Sequence, residues 1–167
     1  MTATPTPSQT VGPFFSIGLC DRPCNLLVEP GRPDAVELRG RVLDGSGTPV
    51  PDAVVEIWQA DESGSYRRDF GWGRCGTNAI GEFRFTTVEP GGVDDQAPHL
   101  VVLVFARGLL KPVLTRLYLP GNASANERDP VLSRIAEPAR LVALRDGTDL
   151  WFEIRLQGDG QTPFFAL

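Results

Sequence analysis

Histidine and tyrosine are scarce in this chain: one histidine, His99, and two tyrosines, Tyr66 and Tyr118, among 167 residues. A Ser-His-Asp or Cys-His machinery would have to be built on His99, and no nucleophile-elbow sequence accompanies it. Cysteine is also sparse. Cys20, Cys24 and Cys75 are an odd number, which excludes a fully paired disulfide framework and favours a reduced, cytoplasmic setting. The pair in "CDRPC" is loosely spaced and has no second pair, so zinc's usual four ligands are out of reach and free loop thiols are expected. Basic charge is in deficit. A net charge of −5 argues against nucleic acid as a partner, because phosphate binding needs a basic face. Long apolar runs are missing: the longest, Leu100 to Ala106, has seven residues, against roughly 20 for a membrane-spanning helix. The chain opens with no basic-then-apolar leader. "GSG" at 45–47 lacks the lysine and helix of a phosphate cradle. Taken by its own residues, the chain does not read as a complete enzyme, and a metal-free structural or binding module is one reading of it.

Strand patterns fill what remains. An apolar fraction of 41% and a charged fraction of 22% are ordinary for one globular domain. "VELRGRVLD" alternates Val36, Leu38 and Val42 with Glu37, Arg39 and Arg41, the period of a half-buried strand. "AVVEIWQ" (53–59), "GEFRFTTV" (81–88), "VLTRLYLP" (113–120), "ARLVALR" (139–145) and "DLWFEIRLQG" (149–158) continue the series. "HLVVLVFA" (99–106) is apolar at nearly every position and reads as a central strand covered on both faces. A single helix is expected at "DPVLSRI", with Asp129 as N-cap and Pro130 at the first helical position. The expected fold is therefore all-β: a two-sheet sandwich of about seven to eight strands with long loops, one short helix and an extended N-terminal arm. The arm and its lead-in loop occupy residues 1–35 and the sandwich domain residues 36–167. Repeated proline in "PTPSQTVGPFF" rules out a helix there and favours an extended chain, which leaves Phe14 and Phe15 needing a cover.

The segments "TPSQTVGPFF", "VVEIWQADESGSY", "FGWGRCGTNAIGEFRFTTVEPG", "APHLVVLVFARG", "TRLYLPG" and "RLQGDGQTPFF" run in one order over nearly the whole length. In that register the chain resembles the intradiol ring-cleaving dioxygenases. The resemblance implies a β-sandwich, and a ferric iron held by two tyrosinates and two histidines, donors that suit a hard ion. This chain cannot supply that set by count. Where iron-binding members carry His-x-His, it runs His99, Leu100, Val101. Where they carry a tyrosine after "PG", it runs Gly91, Gly92, Val93, Asp94. The loop that should bring the other tyrosine is cut short before Phe70 and Gly71; Tyr66 lies upstream of that position and Tyr118 falls in a strand.

The pattern is similar to the non-iron-binding α chain of a two-chain family member. It implies an obligate, homologous β chain that holds the Fe(III), an active site in the cleft between the two, and larger symmetric assemblies. It implies protocatechuate and O2 as substrates, cleaved to 3-carboxy-cis,cis-muconate in the β-ketoadipate route of aromatic catabolism. Carried over by motif, Thr10, Gly12 and Pro13 of "SQTVGPF" would line the substrate pocket, and Arg107 of "VFARG" would approach it. The chemistry is consistent with those roles. Protocatechuate is a catechol carrying a ring carboxylate, and a charge-assisted hydrogen bond to it from Arg107 would be worth about 1.5–3 kcal/mol. Gly12 would let backbone approach a ligand, and Pro13 would stiffen the arm. For Arg107 an ion pair at the subunit interface remains the alternative.

Overall fold

The computed structural model describes residues 6–12 and 14–166. Eight strands form two four-stranded sheets: β1 (Ala35–Leu43), β2 (Val54–Gln59), β3 (Trp72–Gly76), β4 (Glu82–Val88), β5 (His99–Phe105), β6 (Val113–Tyr118), β7 (Leu144–Asp146) and β8 (Asp149–Arg155). One sheet has the order β4-β1-β8-β7 and the other β3-β2-β5-β6. All neighbours are antiparallel except β1 and β8.

The sheets face each other because each strand alternates. Leu38, Val42, Phe83, Phe85, Leu150, Phe152 and Ile154 enter the core from one sheet, and Val55, Ile57, Leu100, Val102, Val104 and Leu117 from the other. Burying a large aliphatic or aromatic side chain of this kind contributes about 1.5–3 kcal/mol, which is why the two-residue period fixes the register. Gly40 interrupts the inward row of β1 for a reason: a Cβ there would lie 2.3 Å from the Phe83 ring, which fills the space. One polar group bridges the layers. Gln59 on β2 is fully buried; it accepts from the Thr87 hydroxyl of β4 at 2.8 Å and donates to the Val88 carbonyl at 2.9 Å. A buried amide satisfied in this way holds the sheets in one alignment.

The inward rows expected for β1, β4 and β8 are the observed ones, and four expectations need correction. The first concerns the arm: a five-residue helix, α1 (Phe15–Leu19), follows the proline-rich stretch. Proline bars helix interiors but not the residues just after it. The second concerns Asp129. The α-helix lies before it, as α2 (Ala123–Arg128), and Asp129 is its C-cap residue. Its carboxylate then caps the following 3-10 turn, Leu132–Arg134, accepting from the Val131 and Leu132 amides at 2.9 and 2.7 Å. Aspartate thus works as a cap, on a turn too short to become an α-helix. The third is "ARLVALR", whose first residues form a 3-10 turn, Pro138–Leu141, with proline in its first positions; strand is confined to β7. The fourth is β5. It is central in its sheet, yet besides His99 at its start only Leu100, Val102 and Val104 are deeply buried, while Val101, Leu103 and Phe105 are half-buried on the outer face. The pattern also hid β3, whose "WGRCG" offers no alternation to read.

Candidate functional site

The connection from β5 to β6 turns sharply at Ala106–Leu109, where the Leu109 amide donates to the Ala106 carbonyl at 3.3 Å. Ala106 is buried and Leu109 packs on the core, so both ends of the turn are fixed. Gly108 has φ +89°, a conformation that L side chains resist, and glycine takes it without strain. Its amide donates to the Thr10 hydroxyl at 2.8 Å, tying the N-terminal arm to the turn. Arg107 stands on the same turn, and its Nε lies 2.8 Å from Oδ2 of Asp52. The structure therefore brings Thr10 and Arg107 together, although they are far apart in sequence. Gly12 is close along the arm and its carbonyl accepts from the Phe15 amide at 3.2 Å. Among the described residues no atom beyond its chain neighbours would lie within 4 Å of a Cβ at Gly12. Pro13 lies outside the described residues. Phe14 and Ile17 are exposed at 75% and 67% and find no cover among the described residues, whereas Phe15 is half-buried within the chain.

His99 sits at the opposite end of β5 in very different surroundings. It is buried, its Nδ1 donates to the Ala97 carbonyl at 2.8 Å, and its ring lies 5.5 Å from that of Tyr118. Burial pushes the imidazole below the usual histidine range, which keeps it neutral. The Tyr118 hydroxyl donates to Asp129 at 3.1 Å and accepts from Arg116, whose guanidinium also donates to Gln96 at 2.7 Å. Desolvation pushes the Tyr118 phenol up to about 12. Asp129 is fully buried. Burial opposes its ionisation, but bonds from the Leu132, Ala97 and Val131 amides and the Tyr118 hydroxyl outweigh that and hold it below the ordinary carboxylate value.

Residues 25–158 match the family Dioxygenase_C, described as dioxygenase. The chain belongs to the intradiol dioxygenases. It is 38% identical to the protocatechuate 3,4-dioxygenase alpha chain of Pseudomonas putida, over 96% of this chain and 95% of that one. It is 32% identical to the protocatechuate 3,4-dioxygenase beta chain of Burkholderia cepacia, over 81% of this chain and 71% of that one. Among solved structures, the dioxygenase domain of a dioxygenase carbohydrate-binding protein fusion from Streptomyces sp. SirexAA-E superposes with a TM-score of 0.65 at 26% identity, covering 93% of this chain and 99% of that domain.

The intradiol dioxygenases are in general Fe(III)-dependent, and the residues of this chain do not fit that ion. The Tyr118 hydroxyl is already bonded to Asp129 and Arg116. His99 is the one histidine of the sequence, and two residues on, on the same face of β5, stands Val101 and not a second imidazole. Tyr66 is half-exposed in the loop after β2. At the "PG" turn the Gly91 amide is bonded to the Asp61 carbonyl at 2.8 Å, and Val93 bridges to Gln96. Among the described residues no group of three or more His, Cys, Asp or Glu is placed to hold a metal. Cys20, Cys24 and Cys75 are free thiols, and burial raises the pKa of Cys20 and Cys75.

Two features of these surroundings lie outside the sequence expectations. Asp52 pairs with Arg107 across a long sequence separation that no local pattern reveals. Trp58 and Trp72 form a cross-strand pair on the outer face of β2 and β3, exposed at 45% and 40%, with Arg74 stacked 5.0 Å over Trp72. The alternation of β2 could have shown Trp58 to face away from Ile57 and Gln59. No helix among the described residues is long and apolar enough to cross a membrane.

Proposed function

We propose that this chain is the metal-free α partner of a two-chain protocatechuate 3,4-dioxygenase. The observation that carries the reading is the coexistence of near-full-length similarity to such an alpha chain with a sequence holding one histidine and two tyrosines. The reaction is O2-dependent cleavage of protocatechuate between its two hydroxylated ring carbons. That carbon–carbon bond breaks, both atoms of O2 enter the product, and 3-carboxy-cis,cis-muconate results. The Fe(III) of the β partner would activate the catechol toward O2.

The residues of this chain bind and orient. Arg107 meets the ring carboxylate of the substrate, and Thr10, Gly12 and Pro13 form the adjoining wall, excluding water. The arm, residues 1–35, lies against the partner, and the sandwich, residues 36–167, carries the turn that presents Arg107. The exposed Phe14 and Ile17 support this placement, since they need a cover the chain does not provide. Three free cysteines suit a reducing cytoplasm. Co-expression with an iron-binding β chain tests the reading. The complex is expected to contain iron and cleave protocatechuate, whereas the chain alone binds no stoichiometric iron and shows no turnover. A soluble, monomeric chain that never associates with the β chain would instead make it a structural or binding module.

A further inference from the structure

Arg107 is paired differently from Arg39 and Arg32. Arg39 is held by both Glu37 and Asp149, and Arg32 by both Asp34 and Glu62. Arg107 has a single partner among the described residues, Asp52, at its Nε side, and its side chain is 58% exposed. None of its guanidinium nitrogens carries a hydrogen bond to a described residue, so the Asp52 contact is an ion pair alone. An arginine held by one ion-pair contact and otherwise open is suited to a planar, bidentate anion such as a carboxylate.

Asp52 is itself in an unusual state. Its φ of 63° places it in the left-handed region, which among the described residues only Asp94 shares outside glycine. Its place is set on both sides: Pro51 precedes it, and Ala53 is fully buried. The Ala53 amide donates to the Thr77 hydroxyl at 2.9 Å, and the Ala53 carbonyl accepts from the Thr77 amide at 2.8 Å. The carboxylate is thus carried on a pinned turn, with its side chain only 29% exposed. Aspartate tolerates the left-handed region, and a turn pinned on both sides holds its carboxylate in one place.

We infer that Asp52 is a positioning residue. It holds the Nε edge of Arg107 so that the terminal edge faces the ring carboxylate of the substrate and favours carboxylated catechols over unsubstituted ones. This inference rests on the reading of Arg107 given above.

The test uses the complex with its iron-binding partner and compares protocatechuate with catechol, which lacks the carboxylate. Asp52→Asn keeps the left-handed turn, because asparagine tolerates that region, and removes the charge. Asp52→Gly, which is free to adopt it, serves as the second variant. Both are expected to raise KM for protocatechuate by about three- to fivefold, the range for a partly exposed ion pair. Their kcat should stay within about twofold, and KM for catechol should not change. Equal effects on the two substrates would make Asp52 merely structural and overturn the inference. No effect on either, or tighter protocatechuate binding, would also overturn it. Arg107→Ala separates the two levels. If it leaves the protocatechuate-to-catechol preference intact, the substrate role of Arg107 fails. If it abolishes that preference while the Asp52 variants do not alter it, only the positioning role fails.

Discussion

The two ends of β5 present contrasting polar clusters. At one end His99, Tyr118, Arg116 and Asp129 lie beneath α2 and the 3-10 turns, and the Asp129 carboxylate is fully enclosed by partners. At the other, Thr10 of the arm and Asp52 of the turn before β2 meet the turn that carries Arg107, with donor groups left over. His99 belongs to a closed structural network, its Ala97 neighbour bonded in turn to Asp129. The turn beside the arm keeps an unspent guanidinium. A buried polar group with every bond made contributes rigidity, while an exposed one with bonds unmade is available to a ligand.

Breaking the closed cluster should have the largest effect. Asp129→Ala removes the acceptor for the Ala97, Val131 and Leu132 amides and for the Tyr118 hydroxyl. A loss of about 3 kcal/mol is expected in a denaturant titration, because buried donors are left unpaired. The pH dependence has a definite sign. The carboxyl of Asp129 lies lower in the folded chain than its ordinary value, so its stabilisation is complete above that ordinary value. It fades as pH falls through the lowered folded value, and the gap between the wild type and Asp129→Ala should narrow in acid.

Opening the second cluster should cost less. Thr10→Val keeps the shape of the side chain but leaves the Gly108 amide without its acceptor. A stability loss of about 1 kcal/mol or less is expected, smaller than for Asp129→Ala, together with weaker protocatechuate binding by the complex. Equal stability loss in both clusters would erase the distinction drawn between them.

The sandwich was legible because most strands bury one face, and a two-residue period survives in Phe83 and Phe85 or in Phe152 and Ile154. It failed where local chemistry overrode periodicity, as at Pro138, or where glycines removed the signal, as in β3. Asp129 was recognisable as a cap, but not as the centre of a buried network assembled from Ala97 and Tyr118. The absence of a full ligand set follows from counting side chains. The meeting of Thr10 with the Arg107 turn was anticipated only through resemblance, and Asp52 was invisible, because tertiary contacts between turns leave no local pattern.

The most direct test of the central claim is Arg107→Ala in the two-chain complex, with iron content and protocatechuate affinity measured on the same preparation. Full iron occupancy with affinity weakened about tenfold or more is the predicted result, the size of a lost charge-assisted hydrogen bond. Unchanged affinity, or loss of iron along with it, would contradict the assignment of substrate binding to this chain and metal binding to its partner.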